Sequence, residues 1–91
     1  MTEQPDRYAL RYTRKRVLEE VYLEPYVSTR ESLIRHTGHT PERVDTAIQA
    51  LIAEGVIYED GEGGISLTSS GEKERRVWIR EWRRKRRQRR A

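Results

Sequence analysis

Apolar residues recur at helical spacing in the first quarter of the chain. After a polar stretch over residues 1–6, expected to be flexible, apolar positions follow three, four and seven residues apart: Leu10, Val17, Leu18, Val21 and Tyr22. Pro25 cannot continue a helix, and it disfavours the helical conformation of the residue before it. The pattern therefore predicts a first helix from Arg7 to about Leu23, followed by a short extended link.

The middle of the chain predicts two short helices joined by a tight turn. Ser28 and Glu31 have the spacing of a capping box, in which each side chain accepts a hydrogen bond from an unpaired backbone N–H. Gly38 can adopt the left-handed conformation that closes a helix. Thr40-Pro41 is a favourable start for the next helix. Its apolar positions again have helical spacing: Val44, Ala47, Ile48, Leu51 and Ile52.

A β-hairpin and a last helix follow. Gly55 ends the third helix, residues 56–58 are short and β-rich, and Asp60-Gly61 is a hairpin-turn signal. Residues 65–67 alternate apolar and polar, and Thr68 is placed to cap a helix that runs into an arginine-rich end. The fold class predicted is mainly α (α+β): a three-helix core, a two-stranded β-hairpin and a long C-terminal helix.

This order of elements resembles the winged helix-turn-helix domains of prokaryotic transcriptional regulators. The matching segments are residues 28–38 for the first helix of the motif and residues 40–57 for the second helix and the strand after it. Leu67-Thr68-Ser69-Ser70-Gly71 is similar to the leucine-threonine-x-x-glycine signature that closes the wing in many of these families. The resemblance implies a winged helix over residues 7–79, followed by a basic tail over residues 80–91.

The resemblance also implies which residues meet a ligand. In such domains the second helix of the motif, here about residues 41–54, enters the major groove of DNA. Val44, Ile48 and Leu51 then face the core. The opposite face is expected to read base edges: Thr40, Glu42, Arg43, Asp45, Thr46 and Gln49. By chemistry, Arg43 suits guanine and Gln49 suits adenine, whereas carboxylates suit the amino group of cytosine.

Positive charge is concentrated at the C-terminal end. The chain carries a net +4, but residues 80–91 hold eight basic side chains against one acidic one, a net of +7. The other residues hold 11 basic and 14 acidic side chains, a net of −3. This segregation indicates a polyanionic partner. Phosphate contacts are expected from the following cations: Arg14, Lys15, Arg16, Arg30, Arg35, Arg80, Arg83, Arg84, Lys85, Arg86, Arg87, Arg89 and Arg90.

A cluster of apolar residues on the last helix has two readings. Val77, Trp78 and Ile79 are consecutive, so on a helix they cover more than one face, and Trp82 lies one turn beyond Trp78. Either all of them complete a small core against the first helix, or they form a twofold homodimer. We favour the dimer, because packing on the first helix would leave apolar surface that a partner copy could cover. Such a dimer would place two recognition helices on adjacent DNA half-sites.

Other classes of function find no support in the sequence. The absence of cysteine excludes disulfides and thiolate metal sites, and His36 and His39 have no further ligands for a metal. No nucleophile elbow, phosphate-binding glycine loop or carboxylate pair indicates an enzyme or a cofactor. No apolar run reaches the roughly 18 residues of a membrane span, and no signal peptide begins the chain, so we expect a cytoplasmic protein without a membrane partner.

The leading hypothesis is a small, double-stranded-DNA-binding transcriptional regulator whose basic tail lies on phosphates. The alternative is a protein-interaction adaptor with the same fold, whose arginine-rich tail holds DNA or RNA. Acidic residues on the would-be reading surface favour the adaptor, because they repel phosphate. Two lie on the third helix and two at the hairpin turn: Glu42, Asp45, Asp60 and Glu62.

Overall fold

The computed structural model describes the backbone of residues 7–90 and the side chains of residues 10–87, so the stretch predicted to be flexible, residues 1–6, lies outside it. The described chain forms four helices and three short strands: α1 (Arg7–Leu23), β1 (Ser28–Thr29), α2 (Arg30–Thr37), α3 (Pro41–Ala53), β2 (Ile57–Glu59), β3 (Gly64–Leu67) and α4 (Ser69–Arg90). The fold is mainly α with a small antiparallel sheet, as predicted. Among the described helices, none combines the length and apolarity needed to cross a membrane.

The turn between α2 and α3 follows the local signals in the sequence. Gly38 adopts the left-handed conformation (φ 72°), and its N–H donates to the carbonyl oxygen of Ile34 at 3.0 Å. Thr40 is the N-cap of α3, where its Oγ1 accepts a hydrogen bond from the N–H of Arg43 at 3.3 Å. Pro41 occupies the first turn, where a helix needs no N–H donor. Three residues therefore separate the two helices, as predicted.

The predicted start of α2 is wrong by one residue. Thr29 is the N-cap, not Ser28, and the capping box pairs it with Ser32 rather than Glu31. The N–H of Ser32 donates to Thr29 Oγ1 at 3.1 Å, and the N–H of Thr29 donates to Ser32 Oγ at 2.8 Å. Ser28 is buried in β1, and its hydroxyl donates to the carbonyl oxygen of Glu24 at 2.7 Å. The Ser28 side chain is therefore not available to cap α2.

The sheet has three antiparallel strands in the order β1-β3-β2. The predicted hairpin is present as β2 and β3, with Ile57 opposite Leu67 and Glu59 opposite Ile65. A third strand of only two residues, β1, pairs with the other edge of β3, where Ser28 also lies opposite Ile65. The two-stranded sheet predicted from the sequence is therefore extended by one short strand, which covers an edge of β3.

A single core lies between α1, α2, α3 and the sheet. Every element from α1 to β3 buries apolar side chains in it except β1, which contributes Ser28. Buried apolar residues are Val17, Val21, Tyr22, Leu33, Val44, Ala47, Ile48, Leu51, Val56, Ile57, Ile65 and Leu67. Trp78 of α4 packs against this core from its edge and is partly buried. The apolar face predicted for α3 is confirmed, and it fixes which side of that helix points outward.

The first turn of α4 is fastened to the loop before β2. Thr68 Oγ1 accepts a hydrogen bond from the N–H of Gly71 at 3.1 Å and donates to the carbonyl oxygen of Gly55 at 2.5 Å. The N–H of Thr68 donates to the carbonyl oxygen of Val56 at 3.1 Å. Gly71 is buried, and a side chain there would collide with that same carbonyl oxygen. Its lack of a Cβ lets the helix approach the loop.

Candidate nucleic-acid interface

The outward face of α3 carries all the side chains predicted to read bases. The helix turns four residues inward: Val44, Ala47, Ile48 and Leu51. On its other side and at its N-cap, the predicted reading residues are all exposed: Thr40, Glu42, Arg43, Asp45, Thr46 and Gln49. Arg43, Thr46 and Gln49 follow one another at three-residue intervals along the exposed side. The helix is therefore amphipathic, with a polar surface open to a partner.

The residues predicted to read bases differ in the contacts that their side chains make within the protein. The hydroxyl of Thr40 caps the helix, and Thr46 Oγ1 donates to the carbonyl oxygen of Glu42 at 2.9 Å. Within the described part of the chain, the side chains of Arg43 and Gln49 have neither a hydrogen bond nor an ion pair. These two long polar side chains are consequently the ones most readily turned toward a ligand.

Arg30 links α2 to both α3 and the hairpin. Its guanidinium forms an ion pair with Asp45, and its Nε donates to Glu59 Oε2 at 3.1 Å. All three side chains are partly exposed to solvent, so the contribution to stability is small, of the order of 0–1 kcal/mol per pair. The consequence for binding is larger, because a predicted phosphate contact and a predicted reading residue neutralise each other.

The cations predicted on α1 are also partly engaged. Arg14 binds Glu54 at the end of α3 through two hydrogen bonds, Nε to Oε2 at 3.1 Å and Nη2 to Oε1 at 2.6 Å. Arg16 forms an ion pair with Glu20 one turn later, at 3.3 Å. Among the described residues, two of the predicted phosphate-binding cations of α1 and α2 are exposed and form no ion pair: Lys15 and Arg35.

One of the two acidic residues predicted at the hairpin turn has a structural role. Asp60 Oδ1 accepts hydrogen bonds from the N–H groups of Glu62 and Gly64, both at 2.8 Å. Gly63 has a positive φ of 86° within the same turn. Asp60 therefore holds the turn together, in the way that short acidic side chains often do. Glu62, by contrast, is exposed at the tip.

The surface formed by α2, α3 and the hairpin is acidic as a whole. Residues 28–67 contain three basic and seven acidic side chains, a net of −4. A shallow cleft between the start of α2 and the hairpin turn concentrates this charge, since Arg30 is its only basic lining residue. Its acidic lining residues are Glu31, Glu59, Asp60 and Glu62. Duplex DNA would gain little general electrostatic attraction from this surface.

Helix α4 carries the opposite charge. Residues 69–90 contain 11 basic and three acidic side chains, a net of +8. The helix continues without a break from Ser69 into the arginine run, so these charges lie on a regular helical framework. Five exposed cations recur at intervals of three and four residues and share one flank: Lys73, Arg76, Arg80, Arg83 and Arg87. We call these five residues the basic stripe.

The other flank of α4 is aromatic. The ring of Trp78 lies 5.2 Å from that of Tyr22 on α1, and Trp82 stacks on Trp78 at 5.9 Å between ring centroids. The guanidinium of Arg86 lies over the Trp82 ring at 4.8 Å. Arg75 adds a hydrogen bond from its Nε to the carbonyl oxygen of Tyr22 at 2.6 Å. We call the stacked series from Tyr22 to Arg86 the aromatic ladder.

The residues predicted to form a dimer interface are divided between these flanks. Trp78 packs within the same molecule, whereas Trp82 and Ile79 are partly buried and Val77 is 54% exposed. Val77 and Ile79 are two residues apart, which turns them about 200° from each other on a helix. A flat interface along α4 therefore accommodates Ile79 and Trp82 together, but not Val77 with them. The dimer itself stays a prediction.

The two histidines have different surroundings. His39 Nδ1 is 3.4 Å from Oγ1 of the buried Thr13, and its ring meets that of Tyr12 edge to face. His36 Nδ1 lies 3.7 Å from Glu20 Oε2. In the part of the chain described, no group of three His, Cys, Asp or Glu side chains is arranged to hold a metal ion.

Comparison with known proteins adds no further assignment. No protein-family model, curated protein or solved structure matches the chain.

Proposed function

We propose that this protein is a small transcriptional regulator that binds double-stranded DNA through a winged helix-turn-helix. In this reading α2 and α3 form the motif, α3 enters the major groove, and the hairpin of β2 and β3 is the wing. The exposed face of α3 carries the proposal. Arg43, Thr46 and Gln49 span about 9 Å along that face, close to three base-pair steps of about 3.4 Å. The two long side chains among them have no partner within the described structure.

The affinity for phosphate has to come mainly from α4. The surface around α3 is net acidic, and three cations of α1 and α2 are held in ion pairs: Arg14, Arg16 and Arg30. If about five phosphates are neutralised, the logarithm of the affinity falls with the logarithm of salt concentration at a slope of about −4 to −5. A flat salt dependence would contradict this division of labour between α3 and α4.

The test is a selection from a random pool of duplex DNA, followed by sequencing, with the full chain and with a chain ending at Trp82. We expect both to enrich the same motif, the shorter chain more weakly. Arg43→Ala should remove the preference at one base position, a loss of about 1–3 kcal/mol for the preferred base. Lys15→Ala is the matched control, since it removes the same charge and should weaken all sequences equally.

The selection also tests the proposed homodimer. A twofold dimer places its two recognition helices about 34 Å apart, so its motif should be an inverted repeat with half-sites about 10 base pairs apart. A single half-site without symmetry would indicate that a monomer reads DNA. Ile79→Glu should then leave the motif unchanged, whereas a dimer formed through α4 should lose the inverted repeat.

The acidic cleft favours a second candidate, an adaptor that binds a protein through the surface of α2, α3 and the hairpin. Its α4 would hold DNA or RNA without reading sequence. That function predicts salt-sensitive binding without a motif, unaffected by Arg43→Ala or Gln49→Ala and lost when the chain ends at Trp82. The same selection experiment therefore separates the two functions.

A further inference from the structure

Seven of the nine cations of α4 whose side chains are described fall into two groups with different surroundings. Arg75 and Arg86 lie on the aromatic flank, where one donates to a backbone carbonyl and the other covers an indole ring. The five cations of the basic stripe are exposed, and none of them has an ion pair or hydrogen bond among the described residues. The two cations on the aromatic flank therefore make contacts within the protein, and those of the basic stripe remain available to a ligand.

The basic stripe is narrow and long. At 100° per residue its five members fall within about 80° of the helix circumference, and they extend over about 21 Å. One strand of duplex DNA presents a phosphate for every 3.4 Å or so of axial rise, and because the strand winds around the axis its phosphates lie farther apart along the strand itself, so fewer than six face a stripe of that length. Of the acidic residues of α4, Glu74 and Glu81 project more than about 100° away from the centre of the stripe, whereas Glu72 lies about 60° from it, beside Lys73 at the start of the stripe. The stripe thus matches the length and charge of a single phosphate strand.

The aromatic ladder fixes the orientation of the basic stripe relative to the core. Contact between Tyr22 and Trp78 ties α4 to the end of α1, and the hydrogen bond from Arg75 to Tyr22 strengthens the same junction. The contacts of Trp82 with Trp78 and Arg86 run along α4 itself, one turn at a time, and support its helical conformation beyond the core. The stripe on the opposite flank is therefore held at a set angle to the core.

We propose that α4 is a one-sided phosphate-binding helix, whose basic stripe lies along one strand of duplex DNA while its aromatic ladder fixes its orientation. The inference rests on the proposed function, because it takes duplex DNA as the ligand. It adds to that function that the C-terminal arginines bind phosphate through their positions on one side of the helix, and not only through their total charge. Rotating part of the stripe about the helix axis, with every charge retained, should then abolish the contribution of the rotated residues to the affinity for DNA.

The experiment inserts alanine after Trp82 and measures binding to a random-sequence DNA duplex. Both insertions are made in an Arg86→Gln background, because a single inserted alanine would otherwise carry Arg86 into the position of Arg87. In that background one inserted alanine rotates Arg83 and Arg87 by about 100° from the rest of the stripe and leaves both of their positions without a cation. Four inserted alanines rotate them by a net of only about 40°, so this variant is the control, equal in charge and also helix-forming. At about 0.1 M salt each lost phosphate contact lowers affinity about eightfold. We expect a loss of about 60-fold for one alanine and less than about fourfold for four.

A second pair of variants makes the same comparison without changing chain length. Arg83→Gln removes a cation of the stripe, and Lys85→Gln removes a cation two residues away on the other side of the helix. We expect about eightfold weaker binding at about 0.1 M salt for Arg83→Gln, and less than twofold for Lys85→Gln. Circular dichroism of all four variants verifies that α4 remains helical.

Each outcome bears on one proposal in particular. Equal losses for the two insertions, or for Arg83→Gln and Lys85→Gln, would overturn the one-sided helix. Tighter, register-dependent binding to an RNA duplex would overturn DNA as its partner. Selection of a motif through Arg43 without register dependence would refute the stripe and leave the proposed function intact. Register-dependent binding without any motif would support the stripe and count against the regulator.

Discussion

Gly71 decides how closely α4 approaches the rest of the protein. A Cβ built at this position collides with the carbonyl oxygen of Val56 and lies 3.1 Å from Cδ2 of Leu67. Alanine ordinarily stabilises a helix by about 0.5–1 kcal/mol relative to glycine. Here the collision reverses the sign, and we expect Gly71→Ala to lower the free energy of unfolding by about 1–3 kcal/mol. Chemical denaturation measures this.

Gly61→Ala is the control for that prediction. A Cβ at Gly61 meets no atom within 4 Å, and Gly61 is not among the glycines with positive φ. The free energy of unfolding should therefore change by less than about 0.5 kcal/mol, as for most surface substitutions. Equal effects of the two substitutions would show that α4 does not depend on close contact at Gly71.

Tyr22 makes stability depend on alkaline pH. Burial, together with the nearby Glu74 carboxylate, raises the pKa of its phenol from 10.0 to about 12. The folded protein therefore holds this proton more tightly than the unfolded chain. The corresponding stability is fully present below pH 10 and is lost as the pH rises toward 12. Urea denaturation between pH 8.5 and 11.5 should show this decline.

The variant Tyr22→Phe isolates the contribution of this one phenol. It retains a ring for Trp78 to contact but has no proton to lose. The difference in unfolding free energy between the natural protein and Tyr22→Phe should therefore shrink or change sign as the pH rises above 10. A difference that is constant with pH would mean that the phenol titrates normally in the folded state.

Local signals predicted single residues well, whereas contacts between elements were beyond the sequence. Gly38 and Thr40 act through their own backbone neighbours, so their roles could be read directly. Arg30 and Asp45 were predicted to contact a ligand. Their ion pair was not, because it forms only when α2, α3 and β2 meet at one place. That missed contact matters, since it occupies two predicted ligand-binding side chains at once.

The hairpin of β2 and β3 depends on one carboxylate. Asp60 Oδ1 receives two backbone hydrogen bonds at 2.8 Å, in a turn with three glycines. Two hydrogen bonds between backbone groups also close this turn, from the N–H of Asp60 to the carbonyl oxygen of Gly64 and from the N–H of Gly63 to that of Asp60. Asp60→Ala should lower the unfolding free energy by about 1–2 kcal/mol, at about 1 kcal/mol per hydrogen bond. Asp60→Asn retains the acceptor oxygen and should recover most of that loss. If Asn is as damaging as Ala, charge and not the turn geometry explains the effect.

Elements with a clear period were predicted closely, and very short ones were not. The first and third helices follow apolar residues at helical spacing, and their observed limits agree with prediction to within a residue. Strand β1 has two residues, too few for any alternation to be recognised. Ser28 was predicted as the N-cap because its hydroxyl suits that role, but the residue instead pairs with β3 in the sheet. The start of α2 consequently moved to Thr29.

Charge segregation links the sequence to the shape of the protein. The sequence predicted a basic end and an acidic body, and also that Trp78 and Trp82 share one face of the last helix. The structure adds that Trp78 uses that face to contact Tyr22. The basic stripe thereby points away from α1, which the sequence alone could not establish.

Ending the chain at Trp82 should separate folding from binding. The truncation removes seven cations and no acidic residue, so the net charge changes from +4 to −3. Every fully buried apolar side chain identified in the core precedes Trp82, and so does the contact of Trp78 with Tyr22. The melting temperature should therefore fall by no more than a few degrees, or about 1 kcal/mol.

Binding to a random-sequence duplex should instead fall by at least about 60-fold at about 0.1 M salt, because at least two phosphate contacts are lost. Fluorescence anisotropy of a labelled duplex measures this. A full-length chain with glutamine at the same seven positions is the control, since it retains the helical segment without its charge. It should bind as weakly as the truncated chain. If the glutamine chain binds as tightly as the natural protein, the surface around α3 attracts DNA despite its net negative charge, and α4 is not the source of affinity.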